Sequence, residues 1–423
     1  MKTLKIKILL LSILFTVISC KEDIPGNNDQ PNNESKKYDL KGDITKNTTL
    51  KGGITYTLIG GVKVKDGVTV TIEPGTIIKS HPTEPSVAFL LFERGSKIKA
   101  KGTKEKPIVF TSGKTDKKAG DWGGVILCGK APINMGKEAT SEVANVTYGG
   151  NVNDDNSGIM EYVRIEYTGN IINESKEHNG LTLNGVGSGT TIDYVQVYKG
   201  KDDGFEFFGG TVNASHLVST DCKDDSFDWT YGWVGKGQFW LAKQGSNNGD
   251  RGIEGDNDSR NNDSTPYSAP VLSNISLHGS KKSGDSGSMG LKLRAGTKVK
   301  IYNAVVEGFS KLGDIQHDQT IANLNDGSLL IQNSIFRNNT TNTFAYLNND
   351  RTPANPSDGK AINHDDNNNT YSNNNSKTYD ITTKAKSISQ EDAWFDNVNY
   401  IGAFSEAERG TNGKNDWTTG WTK

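Results

Sequence analysis

The stretch Asp202-Asp203-Gly204-Phe205-Glu206-Phe207 decides the fold, because the sequence repeats it. Close copies begin at Asp224 and Asp250, and weaker copies begin at His178 and Ser288. Each copy reads as a tight turn, a small residue and an alternation of apolar and polar residues, which is the pattern of a half-buried β-strand. A unit that recurs about every 20 to 40 residues and cannot bury its own apolar face must stack on its neighbours. The repeat therefore predicts successive coils of a right-handed parallel β-helix.

A second strand pattern recurs in a constant order with the first. It begins at residues 158–165 and returns at 191–197, 211–218, 271–277, 299–305 and 329–335. Two different strands in each turn are what a coil with several faces requires, whereas an antiparallel sandwich lacks such phased repetition. The two patterns together predict an all-β solenoid.

The composition agrees with short strands joined by many turns. The 423 residues include 48 Gly, and only 33% are apolar, a profile that argues against helical bundles. The formal net charge is −2, and no basic tract follows residue 10, so the chain offers no bulk attraction to nucleic acid. We therefore expect no nucleic-acid partner.

The N-terminus has the pattern of a secretory signal. Residues 1–7 are basic, and residues 8–18 form an apolar run that is too short to span a bilayer. The run ends in Val17-Ile18-Ser19-Cys20, which resembles the lipobox of bacterial lipoproteins. The resemblance implies a signal peptide over residues 1–19 and a lipid anchor on Cys20, which is stable with two or more acyl chains. Residues 20–37 are predicted to form a disordered tether, and residues 38–423 a single β-helix domain.

Motifs along most of the mature chain resemble those of one known family. They are Thr71-Ile72-Glu73-Pro74-Gly75-Thr76, Pro107-Ile108-Val109-Phe110-Thr111-Ser112, Trp122-Gly123-Gly124-Val125-Ile126-Leu127, and residues 202–213, 224–233, 400–404 and 417–421. The series is similar to the pectin-lyase-like β-helix lipoproteins of Bacteroidota, a family without an established activity. Lys21-Glu22-Asp23 also resembles the acidic export signal of surface lipoproteins in that phylum. The alternative is that these three residues are only the solvated start of the tether. The resemblance implies an outer-membrane lipoprotein that is exposed on the cell surface.

Three polar stretches and one aromatic stretch interrupt the repeats. Residues 134–157, 260–268 and 349–377 are predicted to be loops, which either shape a binding surface or are simple insertions. For the Asn-rich third loop we favour simple insertion. From about residue 381 the chain becomes aromatic-rich, and we expect it to cap the open end of the core.

Cysteine and histidine give no sign of a metal or redox centre. Cys128 and Cys222 remain once Cys20 is lipidated, and we interpret them as buried free thiols rather than a disulfide. No Cys/His spacing suggests zinc, and no serine-nucleophile or phosphate-loop motif is present.

The acidic residues of the repeat form a candidate metal site. In register, Glu206, Asp228 and Glu254 would stack about 4.8 Å apart and repel one another unless a cation intervenes. Oxygen ligands that converge from neighbouring coils suit Ca²⁺. Under the alternative interpretation, the aspartates simply bond backbone at corners. The predicted metal ligands are Asp202, Asp203, Glu206, Asp224, Asp225, Asp228, Asp250 and Glu254.

Two classes of function follow from this site. In a polysaccharide lyase, Lys292 would be the base, Arg294 would stabilise the anion, and Ca²⁺ would neutralise the substrate carboxylate. The motifs of the known lyase families are absent, however, and a glycoside hydrolase that uses two of the carboxylates is a further option. Lys292 and Arg294 could also only neutralise neighbouring carboxylates across coils. Exposed cations would favour catalysis, whereas cations held in ion pairs would favour a structural role.

In a binding protein, aromatic rings beside the carboxylates would stack on sugars. Tyr231 and Trp233 are the surface candidates, whereas Trp229 is in phase with Phe207 and should be inside. We favour a monomeric, lipid-anchored protein that binds a glycan or an envelope protein, with Ca²⁺ stabilising the acidic stripe. A Ca²⁺-assisted lyase acting on an acidic polysaccharide is the alternative.

Overall fold

In the computed structural model, each strand of the main sheet lies parallel to, and in register with, the strand one coil earlier. The structure describes residues 38–173, 176–245, 249–280, 288–357, 361–362, 367–372, 384–409 and 415–423. The predicted signal peptide, the lipidated Cys20 and the tether lie outside these residues. Residues Tyr38–Lys423 form one compact unit. Among the residues described, no helix has the length and hydropathy needed to cross a membrane.

Each full coil contributes strands to three faces, in the order sheet 2, sheet 3 and sheet 1. Sheet 1 carries the Asp202 repeat and consists of Phe89–Phe92, Val125–Cys128, Leu181–Asn184, Phe205–Phe208, Phe227–Thr230, Arg251–Gly255, Met289–Leu293, Lys311–Gln316 and Thr341–Leu347. Sheet 2 consists of Thr48–Leu50, Thr69–Ile72, Lys97–Lys101, Lys236–Gln238, Val271–Ser273, Lys300–Tyr302 and Leu330–Gln332. Sheet 3 consists of Ile77–Ser80, Ile108–Thr111, Leu241–Lys243, Ser276–His278, Val305–Glu307, Ile335–Arg337 and Thr370–Ser372.

Several longer strands bend across two faces. Asp39–Ile44 and Thr55–Val64 join sheets 3 and 1. Sheets 2 and 3 share Gly158–Glu166, Thr191–Tyr198 and Asn213–Thr220. Two antiparallel pairs lie outside the coils, Ala139–Thr140 with Thr147–Tyr148 and Ile171–Asn173 with Lys176–Glu177. The described helices are Asp318–Asp326 and Glu406–Arg409.

The core is the stacked inner face of these coils. Phe205, Phe227, Ile253 and Leu291 follow one another in register and are fully buried, as the alternation predicted. Burying each such side chain stabilises the fold by about 1.5 to 3 kcal/mol. The predicted right-handed parallel β-helix is therefore confirmed, and both sequence repeats are confirmed as its coils.

The corner between sheets 2 and 3 is formed by residues in the left-handed backbone conformation. This conformation costs a residue other than glycine about 1 to 2 kcal/mol, which stacking and hydrogen bonds offset. Tyr194 stacks on Tyr162 and on His216, with ring centroids 4.4 and 4.0 Å apart. Later coils use asparagine, which tolerates this conformation. In chain order the corner residues are Tyr162, Tyr194, His216, Phe239, Asn274, Asn303 and Asn333.

The aromatic-rich C-terminal segment, over its described residues 384–409 and 415–423, covers this corner rather than the open end of the core. The side-chain amides of Asn274, Asn303 and Asn333 donate to backbone carbonyls of the segment at 2.6, 2.8 and 2.8 Å. Trp421 is fully buried, with its ring edge-on to Tyr162. The expected end cap is thus a flank cover, because the corner amides and rings provide partners along the side of the solenoid.

The predicted loops differ in how they lie on the coils. Residues of the first loop fold back over the outer face of sheet 1 and pack Val143 and Tyr148 against it, together with Ile133 just before the loop. The second loop is fastened by the buried Asn257, whose amide donates to two loop carbonyls. Residues 358–360, 363–366 and 373–377 of the third loop lie outside the described residues. Cys128 and Cys222 are free and buried, as predicted.

Candidate functional site

One row of side chains runs along the outer face of sheet 1, across successive coils. Glu206 lies opposite Asp228, Asp228 opposite Glu254, and Glu254 opposite Lys292. The predicted stacking of the three acidic residues is therefore confirmed, with the lysine on the next coil. Strand pairing fixes this row, because a shift of one residue would turn the buried side chains in register with Phe205 outward.

A second row lies at the corner where each coil enters sheet 1. The Asp203 Oδ1 atom accepts a hydrogen bond from the Asp225 backbone N–H at 2.9 Å. The Asp225 Oδ1 atom accepts one from the Arg251 N–H at 2.7 Å. Each aspartate thus bonds the backbone of the following coil rather than that of its own turn. One oxygen of each of these carboxylates therefore has a structural role.

Four carboxylates of the two rows lie close to three more that precede the corner, Glu177, Asp202 and Asp224. We call these seven the acidic cluster: Glu177, Asp202, Asp203, Glu206, Asp224, Asp225 and Asp228. Within it, three sets each offer ligand oxygens that lie within 4.8 Å of one another. The sets are Glu177–Asp202–Asp224, Asp203–Glu206–Asp228 and Asp203–Asp224–Asp225. The cluster contains six of the eight predicted metal ligands.

Burial makes this gathering of negative charge unfavourable. Asp202, Asp203 and Asp225 are each less than 8% exposed. Burial, followed by hydrogen bonding and repulsion from Glu177, raises the pKa of Asp202 to about 9. Burial and neighbouring carboxylates raise the pKa values of Asp203, Glu206, Asp225 and Asp228 well above their usual range. Such groups either share protons or bind a cation.

The donor set fits a hard divalent cation. Ca²⁺ takes about 6 to 8 oxygens at about 2.3 to 2.6 Å in a loose geometry. Oxygens that surround one ion at this radius lie up to about 5 Å apart, so each of the three sets has a suitable spacing. Asp203 belongs to two of the sets and comes from the central coil of the cluster. The residues that would hold the ion are therefore centred on Asp203.

Glu254, the third acidic residue of the outer row of sheet 1, is neutralised by lysine and arginine side chains. Lys292 Nζ lies 3.0 and 2.9 Å from the two carboxylate oxygens of Glu254. Arg294 lies 2.6 Å from Glu254 and 2.9 Å from Asp256. Although burial raises the pKa of Glu254, these cations lower it below its usual value. Lys292 and Arg294 are thus held in ion pairs, the arrangement that favours a structural role.

Two predicted metal ligands are corrected by these pairs. Glu254 belongs to the ion-pair network, and Asp250 pairs with its neighbour Arg251. Neither residue is part of the three carboxylate sets. In the third copy, Arg251 stands at the position that Asp203 and Asp225 occupy in the earlier copies. Its guanidinium group pairs with Asp250, which therefore lies apart from the acidic cluster.

The two predicted surface aromatics have different locations. Trp233 is fully buried, stacks on Phe207 at 4.2 Å and donates its Nε1–H to the Val212 carbonyl, so its surface prediction was wrong. The chain turns at Tyr231 and Gly232, both with positive φ, which resets the in-and-out alternation. Tyr231 is half-buried under Arg260, whose guanidinium carbon lies 5.3 Å from the ring centre. Trp229 is inside, as predicted.

Two contributors to the site were missed by sequence reasoning. Glu177 directly precedes the weak copy that begins at His178, so it lies outside the repeated motif. Asp256 follows the strand of the third copy and holds Arg294. Extending each copy by one or two residues on both sides would have found both carboxylates.

The comparisons with known proteins agree with the fold. A family model, the pectate-lyase-like β-helix domain, matches residues 42–422. No curated protein and no solved structure matches the chain. Because the family model spans nearly the whole chain, the protein belongs to the pectate-lyase-like β-helix domain family.

Proposed function

We propose that the protein is a binding protein of the bacterial envelope, which holds Ca²⁺ in the acidic cluster and uses it to bind an acidic glycan. One observation carries the proposal: seven described carboxylates converge from successive coils, and burial disfavours the charge of six of them. A bound Ca²⁺ would remove the repulsion between them. Its remaining coordination positions would accept carboxylate and hydroxyl oxygens of a ligand.

Asp203, Glu206 and Asp228 would hold the ion in the outer row of sheet 1. Asn179 donates its amide to Glu206 and fixes the orientation of that carboxylate. Asp224 and Asp225 would hold an ion at the corner together with Asp203. The ion would supply charge neutralisation and a bridge to an anionic partner. An acidic surface of an envelope protein could use the same bridge, and it is the alternative ligand.

A binding role is favoured over the polysaccharide lyase by the state of the cations. A lyase base must reach the substrate and lose its proton at working pH. Lys292 instead contacts both oxygens of Glu254, and its side chain is only 14% exposed. Taking a proton would require this pair to break. The geometry therefore supports binding without β-elimination.

The cellular location rests on the N-terminal sequence. The lipobox at residues 17–20 and the acidic residues after it support anchoring through Cys20 in the outer membrane, with the β-helix on the cell surface. Globomycin, which blocks processing of lipoprotein signals, should cause the unprocessed chain to accumulate. A Cys20→Ala variant that still fractionates with the outer membrane would contradict lipid anchoring.

The metal proposal is tested by the thermal stability of the purified full chain. Ca²⁺ at a hundred times its dissociation constant should add about 2.7 kcal/mol relative to EDTA. An unfolding entropy of about 2.1 cal/mol/K per residue over roughly 390 residues converts this to a shift in Tm of about 3 °C. The Glu206→Gln/Asp228→Asn double variant should lose the shift.

The matched control removes two exposed carboxylates elsewhere, in Glu73→Gln/Asp116→Asn. This control should keep the full Ca²⁺ shift. An equal shift in both double variants, or none in the parent chain, would refute the acidic cluster as a Ca²⁺ site. Retention of the Ca²⁺-loaded chain on polygalacturonate but not on neutral galactan tests the ligand. Metal binding without this retention would leave the partner protein as the ligand.

A further inference from the structure

A pocket of about 520 Å³ lies at the other end of sheet 1, away from the acidic cluster. Its floor is the corner where three successive coils leave sheet 1, marked by Asp66, Arg94 and Lys130. Its wall is the hairpin of the first loop, residues 145–147. A volume of this size suits a small organic ligand. The sequence repeats gave no indication of this pocket.

The wall is held firmly against the floor. Arg94 Nη1 donates to the Glu138 carboxylate and to the Gly149 carbonyl, both at 2.8 Å. Within the hairpin, the Ser141 N–H donates to the Val146 carbonyl at 2.8 Å. Arg94 thus connects both ends of the hairpin to the coil corner. The pocket is therefore preformed, which reduces the entropy lost when a ligand binds.

The floor carries one carboxylate and one ammonium group that face the same point. A Cβ atom built on Gly95 would lie 2.0 Å from Asp66 Oδ1 and 2.9 Å from Lys130 Nζ. Both charged groups therefore lie over the α-carbon of Gly95. Among the residues that the structure describes, neither the Asp66 carboxylate nor the Lys130 ammonium group has a hydrogen-bond or ion-pair partner. They are available to a ligand that occupies the pocket.

The pocket is lined by two carboxylates and two cationic groups, and this mixture of charges favours an uncharged, hydrogen-bonding ligand. An anion would be repelled by Asp66 and Glu93, and a cation by Arg94 and Lys130. A hydroxyl group donates one hydrogen bond and accepts others, so adjacent hydroxyls can donate to a carboxylate and accept from an ammonium group. Asn145 and Thr147 add further polar groups, and Val146 offers an apolar contact. A neutral sugar has this arrangement of groups.

We propose that this pocket, which we call the corner pocket, binds one neutral hexose unit of a glycan without a metal ion. The site is separate from the acidic cluster, and its ligand differs in charge from the one proposed there. The Asp66 carboxylate accepts from one sugar hydroxyl, and Lys130 donates to a neighbouring one. Gly95 keeps both groups in place, because a side chain at this position would push the Asp66 carboxylate and the Lys130 ammonium group aside.

The test uses the full chain in EDTA, so that Ca²⁺-dependent binding at the acidic cluster does not contribute. Methyl glycosides of glucose, galactose, mannose and N-acetylglucosamine are titrated by calorimetry and by saturation-transfer NMR, with galacturonate as the charged comparison. At least one neutral glycoside should bind, more tightly than galacturonate. Gly95→Ala and Lys130→Met should each weaken its binding at least tenfold.

Gly67→Ala is the matched control for Gly95→Ala. Both glycines sit at the same corner of neighbouring coils, with φ of +76° and +83°, so an alanine strains the backbone similarly. A Cβ on Gly67, however, meets nothing within 4 Å, so this variant should bind like the parent chain. Equal binding by the two alanine variants would overturn the proposal. Tighter binding of galacturonate, or no binding by the whole neutral panel, would do so as well.

Discussion

Replacing Lys292 by methionine should destabilise the protein strongly, although Lys292 lies on the surface row of a solenoid. The ammonium group contacts both oxygens of Glu254 at 3.0 and 2.9 Å, and the two side chains are 14% and 9% exposed. Methionine keeps an unbranched apolar stem of similar size and removes the ammonium group. The change therefore isolates the ion pair from the packing of the side chain.

The expected loss follows from the buried charge that remains. Removing one partner of a buried ion pair costs about 3 to 5 kcal/mol, because the other charge stays buried without compensation. Arg294 still contacts Glu254 at 2.6 Å, so we expect a value near the lower limit, about 3 kcal/mol. Urea denaturation followed by tryptophan fluorescence measures this loss as a change in midpoint at constant slope.

Two further variants make this measurement decisive. Lys51→Met breaks a pair of similar length, 2.7 Å, in which the side chains are 63% and 36% exposed. It should cause little measurable loss because water screens that pair. The double variant Glu254→Gln/Lys292→Met leaves no unpaired charge and should regain part of the stability. If Lys292→Met costs no more than Lys51→Met, the ion pair is not structural and a catalytic lysine must be reconsidered.

Three other outcomes follow from the structure. In EDTA, stability should fall as the pH rises from 6.5 to 8.5. The reason is that the raised pKa of Asp202, about 9, lets the folded state hold protons that the unfolded state has lost. The slope is about 1.4 kcal/mol per pH unit for each such proton, and melts in buffers of increasing pH that show a rising trend would refute it. Trp233→Ala should cost about 3 to 5 kcal/mol in urea denaturation, because it removes a fully buried ring. Tyr231→Ala should cost less because that ring is half-buried. Trp421→Ala should release the C-terminal segment, seen as faster proteolytic cleavage after residue 384, and unchanged cleavage would contradict the flank contact.

The coil repeat was readable because a strand has an exact side-chain period of two. Phe205, Phe227 and Ile253 must all point inward, which fixes the register of each coil on the next. The stacking of Glu206, Asp228 and Glu254 follows from that register alone. The prediction that Lys292 and Arg294 lie beside the stripe was correct for the same reason.

Predictions across corners were less successful because the period is interrupted there. Tyr231 and Gly232 have positive φ, so counting residues from Trp229 placed Trp233 on the surface although it is in the core. Glu177 lies beyond the strand of its copy, where alternation gives no information about direction. The partner of each charge was equally hidden, since Asp250 could bind a metal or Arg251 with the same sequence.

The sequence by itself determined that the chain winds into parallel coils and that acidic side chains align along one face. Both depend on local alternation and on its repetition. Only the tertiary structure decided which carboxylates share a space, which are neutralised by lysine and arginine, and where the C-terminal segment packs. These contacts join residues that are far apart in the chain, such as Asn274 and Tyr400. They depend on corner geometry and burial, which no periodic pattern encodes.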